Sequence, residues 1–488
     1  MLSIRLYGRA FAFAAVVLSV AGCRGIGGGG SPPMVPTVLR PGIGSIQLAR
    51  SPLDKIKHIV IVVQENRSLN NLFYGFPGAK TVKFGLDSKN EKVALQPIGL
   101  ATKWDIEHSS EGFIAACNGT GKPPGTKCRM NGFDKETWMC RQVGQPKCPI
   151  KYPPYSYVPH DETTPYFSMG HQYVLADEMY ASNFDASSYV SHQYIIAGQA
   201  QQTTNYPLDN LNWGCPGGKP NKIPWIKTNP PRQYGGAVTD CFNYKTLGDE
   251  LDDAGHTWAF YANSLGPPHN RAKTCGKSLA VDLSGSGSYG EQGIWSSYQA
   301  IEHICYGPDW DKDVKTPPSQ FLSDVKAGNL RDVTWITPTC ANSDHPGCDS
   351  DTGPSWVASV VNAIGESQFW SSTAIFIFWD DYGGFYDREP PQYVDYDGLG
   401  IRVPLLIISP YARKGLVSHT RYEHGSILEF VEKRFGLPHL AASDKRAASL
   451  DSCFDFSKPP RKFVPIKSKY GEDFFLHQPP DYRPPDTN

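Results

Sequence analysis

Continuous apolar runs, rather than alternating ones, set the pattern of this chain. His58 to Val63 reads His-Ile-Val-Ile-Val-Val, a β-branched stretch with no polar face. Such a run predicts a strand covered on both sides. Comparable runs recur at Thr257–Tyr261, Val333–Thr337, Thr373–Trp379 and Val403–Ser409. Between them, Thr246–Ala254, Ser355–Ile364 and Gly425–Phe435 have the spacing of amphipathic helices. Buried strands alternating with helices predict an α/β fold, a mostly parallel central sheet with helices on both faces.

The texture changes at both ends and once near the middle. Residues 1–22 pair a basic start, Arg5 and Arg9, with an apolar stretch from Ala10 to Val20, which predicts an export signal. Val20-Ala21-Gly22-Cys23 then has the form of a bacterial lipoprotein box, making Cys23 a candidate lipid anchor. An ordinary secretory signal with an incidental cysteine is the alternative. Residues 23–53 are rich in Gly, Pro and Ser and read as a flexible linker. The folded body is expected over 54–457. Within it, 101–159 is loop-like and rich in Gly, Pro and Cys, which predicts an insertion over the active-site edge, stapled by disulfides. A Pro-rich tail, 458–488, is expected to run along the surface. No segment after the signal reaches the roughly 20 apolar residues that a spanning helix needs, so no transmembrane span is expected in the mature chain.

Charge and cysteine narrow the partners and the compartment. Lys plus Arg number 47 against 48 Asp plus Glu, a net charge of -1. A nucleic-acid binder normally carries a basic excess, so no nucleic-acid partner is expected. Cys117 and Cys128, Cys140 and Cys148, and Cys340 and Cys348 are close in sequence and read as loop-closing disulfides. The chain has 12 cysteines, so an odd number remains beyond Cys23 and one thiol is expected to stay free if Cys23 is lipidated. The protein is expected to be exported, to the periplasm, to the outer membrane as a lipoprotein, or to the medium.

Ligands of open α/β sheets bind beyond the carboxyl ends of the strands. Glu65 and Asn66 follow the first apolar run, and Asp380-Asp381-Tyr382-Gly383-Gly384 follows the fourth. Three carboxylates and an amide on one rim repel one another unless a cation lies between them, and an oxygen-rich set suits a divalent metal. Each acidic pair read alone is equally a helix cap or a turn opener. Ser187-Ser188 opens a helical-looking stretch that runs to Ile196. Ser188 is therefore a candidate nucleophile at a helix start, where backbone N–H groups favour phosphate; simple N-capping is the alternative. His192, four residues on, falls on the same helix face. His108, His303 and His345 are candidates for proton transfer or phosphate contact. His345, in Ser343-Asp344-His345-Pro346-Gly347 after the Val333–Thr337 run, is best placed.

Taken together these motifs resemble the bacterial phosphoesterases that include acid phosphatases and phospholipases C and have an alkaline-phosphatase-like fold. Glu65-Asn66-Arg67-Ser68 with Asn71-Leu72-Phe73-Tyr74-Gly75 is similar to that family's opening signature. Phe184–Gln193, Ser343–Gly347 and Trp379–Asp387 are similar to its serine-or-threonine, histidine and aspartate segments. The resemblance implies one divalent metal ion, Mg, Mn, Ca or Zn, held by Glu65, Asn66, Ser188, Asp380 and Asp381. It also implies a phosphoseryl intermediate on Ser188, with Asn66 steadying a phosphoryl oxygen. His108, His303 and His345 would surround the phosphate, with His345 the leaving-group acid. The implied substrate is a small phosphate ester or a phospholipid.

Two departures stand out. Leu69-Asn70 replaces the usual Phe-Asp, and Arg388 stands where a histidine ends the last segment. Arginine binds anions but is no acid at neutral pH. A catalytically inactive, surface-tethered binding protein of the same fold is the alternative reading. Intact candidates at all five ligand positions weigh against it.

Overall fold

The computed structural model describes residues 51–483, apart from 143, 186, 210–211, 218–220, 227–233, 265–274, 277–291 and 396–397. The export signal, Cys23, most of the linker and the end of the tail lie outside the described residues. All five apolar runs become strands of one nine-stranded sheet. In chain order its strands are β1 (His58–Gln64), β2 (Val174–Tyr180), β3 (Trp258–Tyr261), β4 (Val314–Lys315), β5 (Val333–Ile336), β6 (Thr373–Trp379), β7 (Arg402–Ile408), β8 (Leu416–Ser418) and β9 (Tyr422–Glu423). Their spatial order is β4-β3-β5-β1-β6-β7-β2-β8, and β9 also pairs with β2. Every neighbouring pair is parallel except the two made by β7. Pro404 cannot donate to a ladder, and the β7–β2 register shifts where it falls, between Val403 and Leu405.

β1, β2, β6 and β7 are buried along almost their whole length, so the sheet is covered on both faces. The helices that matter below are α1 (His160–Gln172), α2 (Ser188–Ala197), α3 (Leu247–Asp253), α4 (Gly353–Gly365), α5 (His424–Phe435) and α6 (Ala442–Arg446). This is the expected mostly parallel α/β architecture. β2 was not expected, because Asp177 and Glu178 interrupt its apolar run. Both acids are buried and satisfied: Asp177 accepts from the Lys80 N–H at 2.8 Å, and Glu178 pairs with the Lys80 ammonium at 2.7 Å. Tertiary partners, not pattern, make this stretch a strand.

The three expected cysteine pairs are disulfides, joined by Cys215–Cys241 and Cys275–Cys305. Cys453 is a free, buried thiol. Two of the disulfides staple residues 101–159, which also build two small apolar clusters beside the main core, one around Phe113, Phe133 and Tyr155 and one around Trp104, Ile106 and Trp138. The tail is clipped to the body: Trp370 Nε1 donates to the Arg461 carbonyl at 2.7 Å, and Phe475 packs on Trp356. Among the described residues no helix is long and apolar enough to cross a membrane.

Candidate active site

Strand register brings the two acidic motifs together. Gln64 of β1 pairs with Trp379 of β6, so Glu65 and Asp380 leave neighbouring parallel strands side by side. The Asp380 N–H donates to the Gln64 carbonyl at 3.1 Å, and the Glu65 N–H donates to the Ser343 carbonyl at 2.9 Å. Ser343 lies in the loop after β5, on the other side of β1, so three adjacent strand ends meet here. Asn66 turns the chain in the left-handed region, at φ 58°, and its N–H donates to Asp380 Oδ1 at 3.0 Å. Opposite it Gly383 has φ 60°, and a Cβ there would come within 2.0 Å of the Asn66 carbonyl oxygen. Two main chains thus cross in contact, which only glycine permits.

A fourth strand end supplies the serine. β2 runs parallel to β1 and leads through a short turn into α2, whose first residue is Ser188 after the N-cap Ser187. The Ser188 hydroxyl lies 3.1 Å from Asn66 Oδ1 and 3.3 Å from Asp381 Oδ2, and donates toward both. One turn on, His192 Nε2 lies 2.9 Å from Glu65 Oε1 and 4.0 Å from Asp380 Oδ2. Ligand atoms of Glu65, His192 and Asp380 all fall within 4.8 Å of one another. Glu65, Asn66, Ser188, His192, Asp380 and Asp381 are all fully buried. Ionised carboxylates gathered away from water cost several kcal/mol each unless neutralised. The donor set, carboxylate, amide and hydroxyl oxygens with one imidazole, fits a divalent cation.

Two of the three expected histidines join the site. His108 Nδ1 lies 2.6 Å from the Ile106 carbonyl, which can only accept, so Nδ1 carries the hydrogen. Its Nε2 then accepts from Asn66 Nδ2 at 2.6 Å, which leaves Asn66 Oδ1 turned to Ser188. His345 donates from Nδ1 to the Pro346 carbonyl, and its Nε2 lies 3.8 Å from Asp105 Oδ2. The His108 and His345 rings are 5.9 Å apart, and Trp295 stands 5.7 Å from the latter. Asp105, His108 and His345 form a second close group of ligand-type atoms.

His303 is not among them. Its ring nitrogens lie 2.6 Å from Asn243 Oδ1 and 2.8 Å from Asp249 Oδ1, in a partly exposed position. Asp249 also closes the capping box of α3 with Thr246, so His303 braces a helix start. The resemblance groups His303 with the phosphate histidines, but its loop carries the ring to the start of α3 instead.

Neighbouring groups explain how the rim is held. Asp344, at φ 71°, points inward and accepts from the Tyr166 hydroxyl at 2.6 Å and from Trp379 Nε1 at 3.2 Å. Burial raises its carboxyl to about 6. The Arg67 Nε–H donates to the Asp344 carbonyl at 2.8 Å, and burial pulls that guanidinium down to about 10. Arg388 is half exposed and pairs with Glu389 at 2.9 Å. Asp387 beside it is held by the fully buried Arg402. Nothing in the sequence pattern singled out Arg402, Trp295 or the contact between His192 and Glu65.

A serine at a helix start, set among buried carboxylates with imidazoles alongside, is equipment for breaking phosphoester bonds. Residues 56–438 match the model of the Phosphoesterase family, so the chain belongs to that family and is a hydrolase of phosphoester bonds. Non-specific phospholipase C1 of Arabidopsis thaliana is 33% identical over 461 residues, 84% of this chain and 73% of its own length. Phospholipase C A of Mycobacterium tuberculosis is 24% identical over 461 residues, 85% of this chain and 80% of its own. A solved protein of the alkaline phosphatase superfamily from Vibrio parahaemolyticus aligns over 82% of this chain and 72% of its own, at 8% identity and a TM-score of 0.33.

Proposed function

We propose that the protein is an exported, metal-dependent phosphodiesterase of the phospholipase C type that works through Ser188. The observation that carries this reading is the seat of the Ser188 hydroxyl, between Asn66 Oδ1 and Asp381 Oδ2 at the first turn of α2. The names of the relatives support a phospholipid diester over a small monoester. Five disulfides and the signal-like start support export. Cys23 is the proposed anchor point, and the active domain is proposed to span 54–457.

Glu65, Asn66, Ser188, Asp380 and Asp381 would hold one divalent ion, with His192 a further candidate. Such an ion supplies Lewis-acid stabilisation of phosphoryl oxygen and favours the ionised serine. The chain's own residues do the rest. Ser188 Oγ attacks phosphorus, its proton passing to the Asp381 side where the hydroxyl already donates. The bond from phosphorus to the leaving alcohol breaks, and the leaving oxygen takes the His345 Nε2 proton. Asp105, 3.8 Å away, favours the protonated ring, and the Nδ1 bond to Pro346 fixes its direction. Neutral His345 then accepts a proton from water as that water attacks the phosphoserine. The bond from phosphorus to Oγ breaks, Asp381 returns the proton to Ser188 Oγ, and the phosphorylated head group leaves. His108 acts through Asn66, whose amide it orients.

The test is hydrolysis of p-nitrophenyl phosphorylcholine and of phosphatidylcholine vesicles, beside p-nitrophenyl phosphate, with and without chelator. Both diesters are expected to turn over, chelator to stop them, and Ser188→Ala to lose about 10⁴-fold or more in kcat. Turnover of the monoester alone would make the enzyme an acid phosphatase. Wild-type rates in Ser188→Ala would remove the serine mechanism.

A further inference from the structure

Away from the active site, a second group of buried acids gathers where α5 ends. Glu432 lies in the last turn of α5, His439 in the loop that follows, and Asp444 in α6. His439 Nδ1 is 2.7 Å from Glu432 Oε2 and 3.5 Å from Asp444 Oδ2. Ligand atoms of the three residues fall within 4.8 Å of one another. Glu432 and Asp444 are 1% and 0% exposed. The Asp444 carboxylate is fixed in place by the N–H groups of Leu440 and Ala441, at 2.8 and 2.9 Å.

Two details separate this group from an ordinary acidic cluster. Glu432 Oε1 is buried and has no hydrogen-bond partner, although its carboxyl lies within hydrogen-bonding reach of Asp444. Glu250 of α3 faces the same group, 3% exposed, and its Oε2 also lacks a partner. Two touching carboxylates away from water cannot both stay ionised without something positive between them. A shared proton is one solution; a metal ion is the other. His439 favours the second, because an imidazole beside two carboxylates is a mixed nitrogen and oxygen donor set of the kind that zinc takes. Its side chain is 47% exposed, so an ion and its water have a way in.

We infer that Glu432, His439 and Asp444 form a binding site for one divalent transition-metal ion of the zinc class, separate from the catalytic centre. The ion ties the end of α5 to α6. Ser443 on α6 donates to the Gly198 carbonyl at the end of α2, so the tie also backs the helix that carries Ser188.

The experiment uses the full chain stripped with chelator, loaded with Zn²⁺ and desalted. Zinc per chain is measured by mass spectrometry, and melting temperature is followed with and without Zn²⁺. Wild type is expected to keep one more zinc atom per chain than His439→Ala or Glu432→Gln, and the zinc-dependent rise in melting temperature seen in wild type is expected to be lost in both variants. Asp381→Asn should keep that rise, which separates this site from the catalytic one. Equal zinc in wild type, His439→Ala and Glu432→Gln would overturn the proposal. Glu432→Gln melting above wild type with unchanged zinc would do the same, and would leave a shared proton as the neutralising group.

Discussion

The loop after β6 carries buried carboxylates of two kinds. Asp380 and Asp381 open it, and their oxygens meet short neutral donors: the N–H groups of Asn66 and Gly383 and the Ser188 hydroxyl. Asp387, further along, meets a protein cation. Its carboxylate takes Arg402 Nε and Nη2 at 3.1 Å each, and the Glu389 N–H at 3.0 Å. Arg402 spends its other N–H groups on the Asp177 and Lys80 carbonyls, both at 2.9 Å, so the pair binds β7 to β2. The difference separates architecture from chemistry. A carboxylate matched by a fixed arginine belongs to the fold, whereas a rim of carboxylates that fits an exchangeable ion is available to a substrate.

The strongest way to break this contrast is to neutralise one acid of each kind. Asp381→Asn should cut kcat/KM by about 10³-fold or more, because it removes a proposed ligand and the acceptor beside Ser188. The chelated variant should melt at or above wild type, since a buried charge has gone. Asp387→Asn should behave oppositely. It leaves Arg402 buried without its counter-charge, a loss of about 3–5 kcal/mol, while the folded fraction keeps its turnover. Adding Arg402→Met to Asp387→Asn should restore part of that stability. Equal destabilisation by both single substitutions would erase the distinction.

His424 represents a third solution, staying uncharged. It sits at the start of α5 with Nε2 3.4 Å from the Trp379 carbonyl, and burial lowers its pKa to about 4. The unfolded chain binds a proton near pH 6.5 while the folded one does not until about 4. Stability from this group is therefore complete above pH 6.5 and is lost as pH falls toward 4, by about 3 kcal/mol over that window. His424→Gln should flatten urea midpoints between pH 6.5 and 4. An unchanged slope would show that the imidazole is not the group responsible.

How much of this was legible in the sequence depended on whether a residue's role followed from its place along the strand or from a partner elsewhere. Glu65 and Asp380 were readable because each follows an apolar run, and parallel pairing must then deliver both to one rim. Gly383 was readable as a tight turn, although its contact with the Asn66 carbonyl was not. β2 was invisible, since Asp177 and Glu178 need Lys80, His419 and Tyr180 to be buried at all. Arg402 was hidden for the same reason, its counter-charge lying in another loop. Arg388, the conspicuous departure, turned out to lie at the surface against Glu389.

The smallest expected effect concerns two histidines, His345 and His303, that the resemblance set around the same phosphate. His345 points Nε2 toward Asp105 inside the site, whereas His303 is held by Asn243 and Asp249 at the start of α3. His345→Ala should lose about 10²-fold or more in kcat, as expected for removal of a general acid. His303→Ala should leave kcat within about threefold. Its pairing with Asp249 raises the His303 pKa, so the stability it adds is present below pH 6.5 and fades as pH rises through the raised value. Because the ring is partly exposed, that contribution should stay below about 1 kcal/mol. Melting curves of His303→Ala and wild type should therefore differ slightly at pH 6 and converge at pH 8. A large loss of turnover in His303→Ala would instead place that ring at the phosphate, and would require the loop at 301–306 to move to the rim on binding.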